Sequence, residues 1–124
     1  MIKTKGVYKM GIPVDDIGRA ERFYTEVLGL EVDRPRREGD QVSRLKCGGE
    51  VVLLFQRPAP SDATPTRRTE PTHRAFVIDM SAFDEAVASL KKEGAFHEIV
   101  ERDHGRTIYF WDTEGNYEEL HAGR

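Results

Sequence analysis

The chain has 124 residues, a formal net charge of −3, 33% charged and 38% hydrophobic residues, which fits one domain able to bury a core without staples. That balance gives no basic footprint for nucleic acid, and no apolar run is long enough for a membrane span. The opening Met1-Ile2-Lys3-Thr4-Lys5 lacks the apolar stretch of an export leader, and Cys47 is the one cysteine, so a cytoplasmic protein with a structural thiol is expected.

Tyr8 to Val14 reads as a strand. Asp15-Asp16 then offers an N-cap, and Ile17, Ala20, Phe23, Tyr24, Val27 and Leu28 recur at helical spacing up to Gly29. Three strands follow, Leu30 to Arg34, Gln41 to Lys46 and Val51 to Gln56, with Gly39-Asp40 and Gly48-Gly49 as turns. Residues 58–71, with Pro58, Pro60, Pro65 and Pro71, read as an exposed connector. The order then repeats. His73 to Ile78 is a strand; Ser81 caps a helix whose stripe is Phe83, Ala86, Val87 and Leu90 and which ends at Gly94. Phe96 to Glu101, Thr107 to Trp111 and Tyr117 to His121 are three more strands, turned by His104-Gly105 and Glu114-Gly115-Asn116. The spacing therefore predicts an α+β fold of tandem βαβββ modules, module one at 7–57 and module two at 72–123, with Lys9 matching His73, Gly29 matching Gly94 and Gly49 matching Gly115.

The run KMGIPVDDIGRAERFYTEVLGLEV resembles the opening of the vicinal-oxygen-chelate superfamily, which includes glyoxalase I, bleomycin-resistance proteins, extradiol dioxygenases and fosfomycin-resistance enzymes. Asp16, Phe23-Tyr24 and Leu28-Gly29 fall at the family's spacing. THRAFVI resembles the second-module strand, and RTIYFWDTEGNYEELHAGR the terminal hairpin, with Thr113 where Pro is usual. The ending ELHAG is most similar to fosfomycin-resistance members, although five residues follow Glu119 where those members continue with a basic tail.

The resemblance implies a cupped mixed sheet holding a divalent metal (Zn, Mn, Fe or Ni), a small-molecule ligand and a homodimer. Its ligand positions fall on Lys9, Leu53, His73 and Glu119. His73 and Glu119 are metal-competent. Lys9 is not, because an ammonium has no lone pair at neutral pH, so the metal is either weakened or replaced by the Lys9 charge. Strand alternation puts Tyr117 and His121 on the same side as Glu119, as candidates to orient substrate or move a proton. Lys9, Tyr109, Trp111 and the hairpin residue His104 are candidate ligand contacts. Tyr109 and Trp111 alternate with Ile108 and Phe110, so one pair faces the cup and the other the core. His97 reads as a surface strand residue, and Arg67-Arg68 as solvated. Two functions follow: a metal-assisted enzyme of the lyase, transferase or dioxygenase type with an altered first ligand, or a metal-free binding protein of the bleomycin-resistance type.

Overall fold

The computed structural model describes residues 1–58, 65–69 and 73–123. The chain divides into two compact units, Met1–Pro60 and Ser61–Arg124. Of the expected connector, residues 59–64 and 70–71 lie outside the described residues.

Unit one begins with β1 (Lys9–Val14), whose Ile12 and Val14 are fully buried while Lys9 and Gly11 are exposed. Asp16 has extended backbone, and its carboxylate accepts the Arg19 amide at 3.0 Å, which starts α1 (Ile17–Arg22). The expected helix does run on toward Leu28, but not as one α-helix. Residues Phe23–Val27 form a π-helical turn in which the Leu28 amide reaches back to the Phe23 carbonyl at 3.2 Å. The Thr25 hydroxyl donates to the Glu21 carbonyl at 2.7 Å, offering that acceptor a partner other than the backbone ladder. The wider turn lets Phe23 and Tyr24 both be buried, edge to face at 5.5 Å. Gly29, at φ +76°, closes the element.

β2 (Glu31–Arg34), β3 (Val42–Cys47) and β4 (Glu50–Gln56) complete the first sheet, in the order β1-β4-β3-β2. β1 and β4 run parallel, with Gly11 opposite Leu53; β3 and β4 run antiparallel, with Arg44 opposite Leu53. Because side chains alternate along a strand, Ile12, Val14, Ser43, Leu45, Val52 and Leu54 are buried on the side where α1 meets β3 and β4. The other face carries Lys9, Gly11, Leu53, Phe55, Arg44 and Lys46.

Unit two repeats this plan. β5 (Ala75–Val77), a single 3-10 turn (Met80–Ala82), α2 (Phe83–Lys92), β6 (Phe96–Arg102), β7 (Gly105–Trp111) and β8 (Tyr117–Gly123) give a sheet of order β5-β8-β7-β6. β5 and β8 are parallel, with Ala75 opposite Glu119. The register supports the sequence repeat: Gly11–Leu53 in unit one and Ala75–Glu119 in unit two are equivalent pairs. Phe83 and Leu90 of α2, Phe76, Ile108, Phe110, Leu120 and Ala122 form the core.

Two local expectations are corrected. Ser81 is not the helix cap. It sits inside the 3-10 turn, and α2 starts after Ala82 without a side-chain cap bond, with Asp84 and Glu85 in its first turn. The strand expected from His73 begins only at Ala75, because His73 has left-handed backbone at φ 53° and cannot continue the extended ladder. No helix is long and apolar enough to cross a membrane among the described residues.

Candidate functional site

In unit two, the face of the sheet opposite the core is set by strand pairing. Tyr109 lies opposite Glu119, Trp111 opposite Tyr117, and Thr107 opposite His121. Paired residues share a face, so Glu119, Tyr117 and His121 stand with Tyr109 and Trp111, while Ile108, Phe110 and Leu120 fill the core. Tyr109 and Trp111, not Ile108 and Phe110, are therefore the pair on the Glu119 face.

His73 reaches this face from outside the strand. Its Nδ1 lies 3.8 Å from Glu119 Oε2, with the His73 side chain 78% exposed and that of Glu119 17% exposed. His121 stands two residues beyond Glu119 and shares a 3.3 Å contact from its Nδ1 to the Thr107 hydroxyl. The His104 ring is tilted against the His121 ring at 5.3 Å between centroids, so the hairpin residue does border this region.

The aromatic residues form a shelf. Tyr109 and Tyr117 stack at 5.4 Å and 15°, and Trp111 meets Tyr117 at 5.4 Å. Arg102 donates to the Tyr109 phenol at 2.7 Å. The Tyr117 phenol is raised above the ordinary value of 10.0, first by burial, then by the charges of Glu98, Tyr109 and Glu119. Tyr117 thus stays a neutral hydrogen-bonding group beside a carboxylate.

His97 is an exposed strand residue of β6, as the sequence predicts, and it also borders this shelf. Its Nδ1 is 2.6 Å from the Tyr117 phenol oxygen, and its ring lies 4.6 Å from that of Trp111. The β6–β7 register shifts between Phe96 and Glu98. A bulge of this kind redirects one side chain, and strict alternation cannot reveal it.

Part of the connector also reaches unit two. Trp111 donates its indole N–H to the Arg68 carbonyl at 2.7 Å, and the Arg67 guanidinium lies 4.7 Å from the Trp111 ring. The Arg68 amide bonds the Gly115 carbonyl at 3.0 Å. Residues 65–69 are thus tied to the second unit at Trp111 and Gly115. Arg67, expected to be simply solvated, is exposed but covers an aromatic ring.

In unit one the corresponding face is cationic and carries no metal donor at either expected position. Lys9 is exposed, its ammonium 5.4 Å from the Tyr8 ring centroid, and Leu53 pairs with Gly11 and Arg44. The Tyr8 phenol is lowered, chiefly by its hydrogen bond and charge interaction with Arg44 and further by Lys9 and Arg34. Cys47 is half-buried, and burial raises its thiol above 9.0, the direction of an unreactive structural cysteine.

Among the described residues, no three His, Cys, Asp or Glu side chains gather as a metal site. His73 and Glu119 bring two potential donors together; the two unit-one positions expected as ligands, Lys9 and Leu53, hold an ammonium and an alkyl chain. The donor set of the described residues therefore does not fit a closed three- or four-ligand metal site.

The family model described as the Glyoxalase/Bleomycin resistance protein/Dioxygenase superfamily matches residues 7–120. The chain belongs to this superfamily. Among curated proteins it is similar to the glutathione transferase FosA of Serratia marcescens, 28% identical over 112 residues, covering 90% of this chain and 77% of that one. It is also similar to the metallothiol transferase FosB of Shouchella clausii, 29% identical over 125 residues, covering 97% and 82%. Its fold matches a mutant of the fosfomycin resistance protein FosX from Listeria monocytogenes, complexed with Mn(II) and 1S,2S-dihydroxypropylphosphonic acid. The TM-score is 0.77 at 22% identity, over 98% of this chain and 95% of that one. The expected superfamily and the tandem βαβββ fold are thus both found, and fosfomycin-resistance enzymes are among the homologues.

Proposed function

We propose that this protein binds a small oxygen-bearing molecule on the aromatic face of module two, and that the metal chemistry of its relatives is weakened by the loss of donors from module one. One observation carries this reading. His73 and Glu119 converge at 3.8 Å, while Lys9 and Leu53 occupy the other two ligand positions that the family resemblance implies. The Tyr109–Tyr117 stack and Trp111 offer a planar apolar surface. The Tyr117 phenol and the Glu119 carboxylate offer polar contacts, and His104 and His121 border them. The protein is read as a homodimer of the cytoplasm; light scattering of the purified protein tests the dimer.

Elemental analysis of purified protein is expected to show substoichiometric divalent metal. Lys9→His, alone or with Leu53→Glu, is expected to raise Mn(II) occupancy by restoring donors. Ligands found by thermal shift should stabilise the protein equally with and without EDTA. Stoichiometric metal in the unmutated protein, or ligand stabilisation abolished by EDTA, would reject the reading.

A second reading is a metal-assisted transferase, as the names of FosA and FosB describe those relatives. The convergence of His73 with Glu119 favours it. In that case Tyr117 and His121 orient the substrate or carry a proton, with His97 fixing the Tyr117 phenol. Mn(II)-dependent consumption of fosfomycin and a thiol would decide for it.

A further inference from the structure

We propose that unit one carries its own binding site, an arginine-lined cleft that takes a small organic anion with an apolar body, such as a carboxylate or a phosphate ester. The cleft has a volume of about 720 Å³ and is lined by Arg34, Arg36, Arg37 and Arg44, with Pro35, Val42 and Leu53 as its apolar part. Asp40 is the one acid in that lining, and the Arg37 amide donates to its carboxylate at 2.7 Å.

The four arginines fall into two pairs. Arg36 and Arg44 are held from behind through Nε: Arg36 on Glu21 at 2.9 Å, Arg44 on Asp33 at 2.8 Å. Ser43 braces Glu21 at 2.5 Å, and Tyr8 braces Arg44 at 3.3 Å. A guanidinium fixed through Nε still has terminal N–H groups to offer, in an orientation already set before a ligand arrives. Arg34 and Arg37 differ: among the described residues neither has a carboxylate partner. In a chain with 22 acidic and 19 basic residues, two unopposed arginines beside two braced ones make a local excess of positive charge. Its effect is visible at Tyr8, whose phenol Arg44 and Arg34 both help to lower.

The strand register gives the cleft its meaning. Leu53 lines it, and Arg44 lies opposite Leu53 on the same face, with Arg34 opposite Arg44. Where the resemblance implies a cation ligand, unit one presents an alkyl floor under guanidinium groups. Such a surface repels a metal ion and attracts an anion. This inference rests on unit one alone, not on the module-two reading.

The test is calorimetric titration of the full chain with phenyl phosphate, benzoate and the neutral benzyl alcohol. At least one of the anions is expected to bind, more weakly as salt is raised, and more tightly than benzyl alcohol, whose binding salt leaves unchanged. Whichever anion binds more tightly names the head group. Arg34→Ala with Arg37→Ala should weaken that binding at least ~10-fold. Both side chains are exposed and have no carboxylate partner among the described residues, so the fold should survive; the salt dependence of the unmutated protein tests the proposal even if it does not. Lys3→Ala with Lys5→Ala, which removes the same charge at exposed residues outside the cleft, should leave anion binding unchanged. The proposal is overturned if neither anion binds, if benzyl alcohol binds as well as they do, if salt has no effect, if Arg34→Ala with Arg37→Ala binds normally, or if Lys3→Ala with Lys5→Ala weakens the binding as much.

Discussion

Units one and two share a strand order and a register and differ in what that scaffold presents. Both sheets bury one face under a helix, and both pair their first strand in parallel with their last. On the opposite face, unit two sets a carboxylate among histidines and stacked aromatics. Unit one sets arginines and a lysine around a leucine. Core positions are tied to topology, because they must fill the space under a helix. Open-face positions are tied only to what they bind, so they are free to diverge in charge.

The largest expected effect probes what the units share. Leu54 and Leu120 are both buried in the last strand of their sheet. Each, changed to Ala, should cost about 2–5 kcal/mol in urea denaturation; a loss confined to one unit would break the equivalence. Next come the equivalent glycines Gly49 and Gly115. A Cβ on Gly49 meets nothing within 4 Å, whereas one on Gly115, at φ +79°, would lie 2.2 Å from the Thr66 carbonyl oxygen. Gly115→Ala should destabilise by about 2–4 kcal/mol and Gly49→Ala by under ~1 kcal/mol, measured the same way.

The smallest effect is electrostatic and opposite in sign between the units. Tyr8 is lowered by Arg44 and Tyr117 is raised by burial. In an ultraviolet titration, Tyr8→Phe should remove a phenol that ionises below pH 10, and Tyr117→Phe one that ionises above it. For Tyr117, the folded state holds its proton more tightly than the unfolded state. That contribution is intact below the ordinary phenol value and lost as pH rises through the higher folded one, so alkaline destabilisation should be milder in Tyr117→Phe. For Tyr8, the lowered phenol gives the reverse: its contribution is present above the ordinary value and lost as pH falls.

Much of this architecture was legible in the sequence. Asp16, Gly29 and Gly94 mark helix ends through local backbone chemistry, and alternation correctly set Glu119, Tyr117 and His121 on one face. What escaped detection depends on contacts far apart in the chain. The π turn at Phe23–Val27 keeps the same apolar stripe as an α-helix, so periodicity cannot distinguish them. His97 enters the aromatic shelf through a register shift that no single strand announces. His73 leaves the ladder through one backbone angle. The arginine cleft draws on β2, its following loop and β3. A run such as Arg34-Pro35-Arg36-Arg37 looks like ordinary solvated charge until the strands bring Arg44 and Leu53 beside it.

The bonds from Arg68 to Trp111 and Gly115, with the close approach of Thr66 to Gly115, set a limit on how this protein can be cut. A protein re-engineered as two separately expressed halves, or circularly permuted at the junction, keeps its second half intact only if the break falls before Pro65. A cut a few residues later would strip the indole of its acceptor and its cationic cover together, although composition marks the whole Pro-rich stretch as equally dispensable.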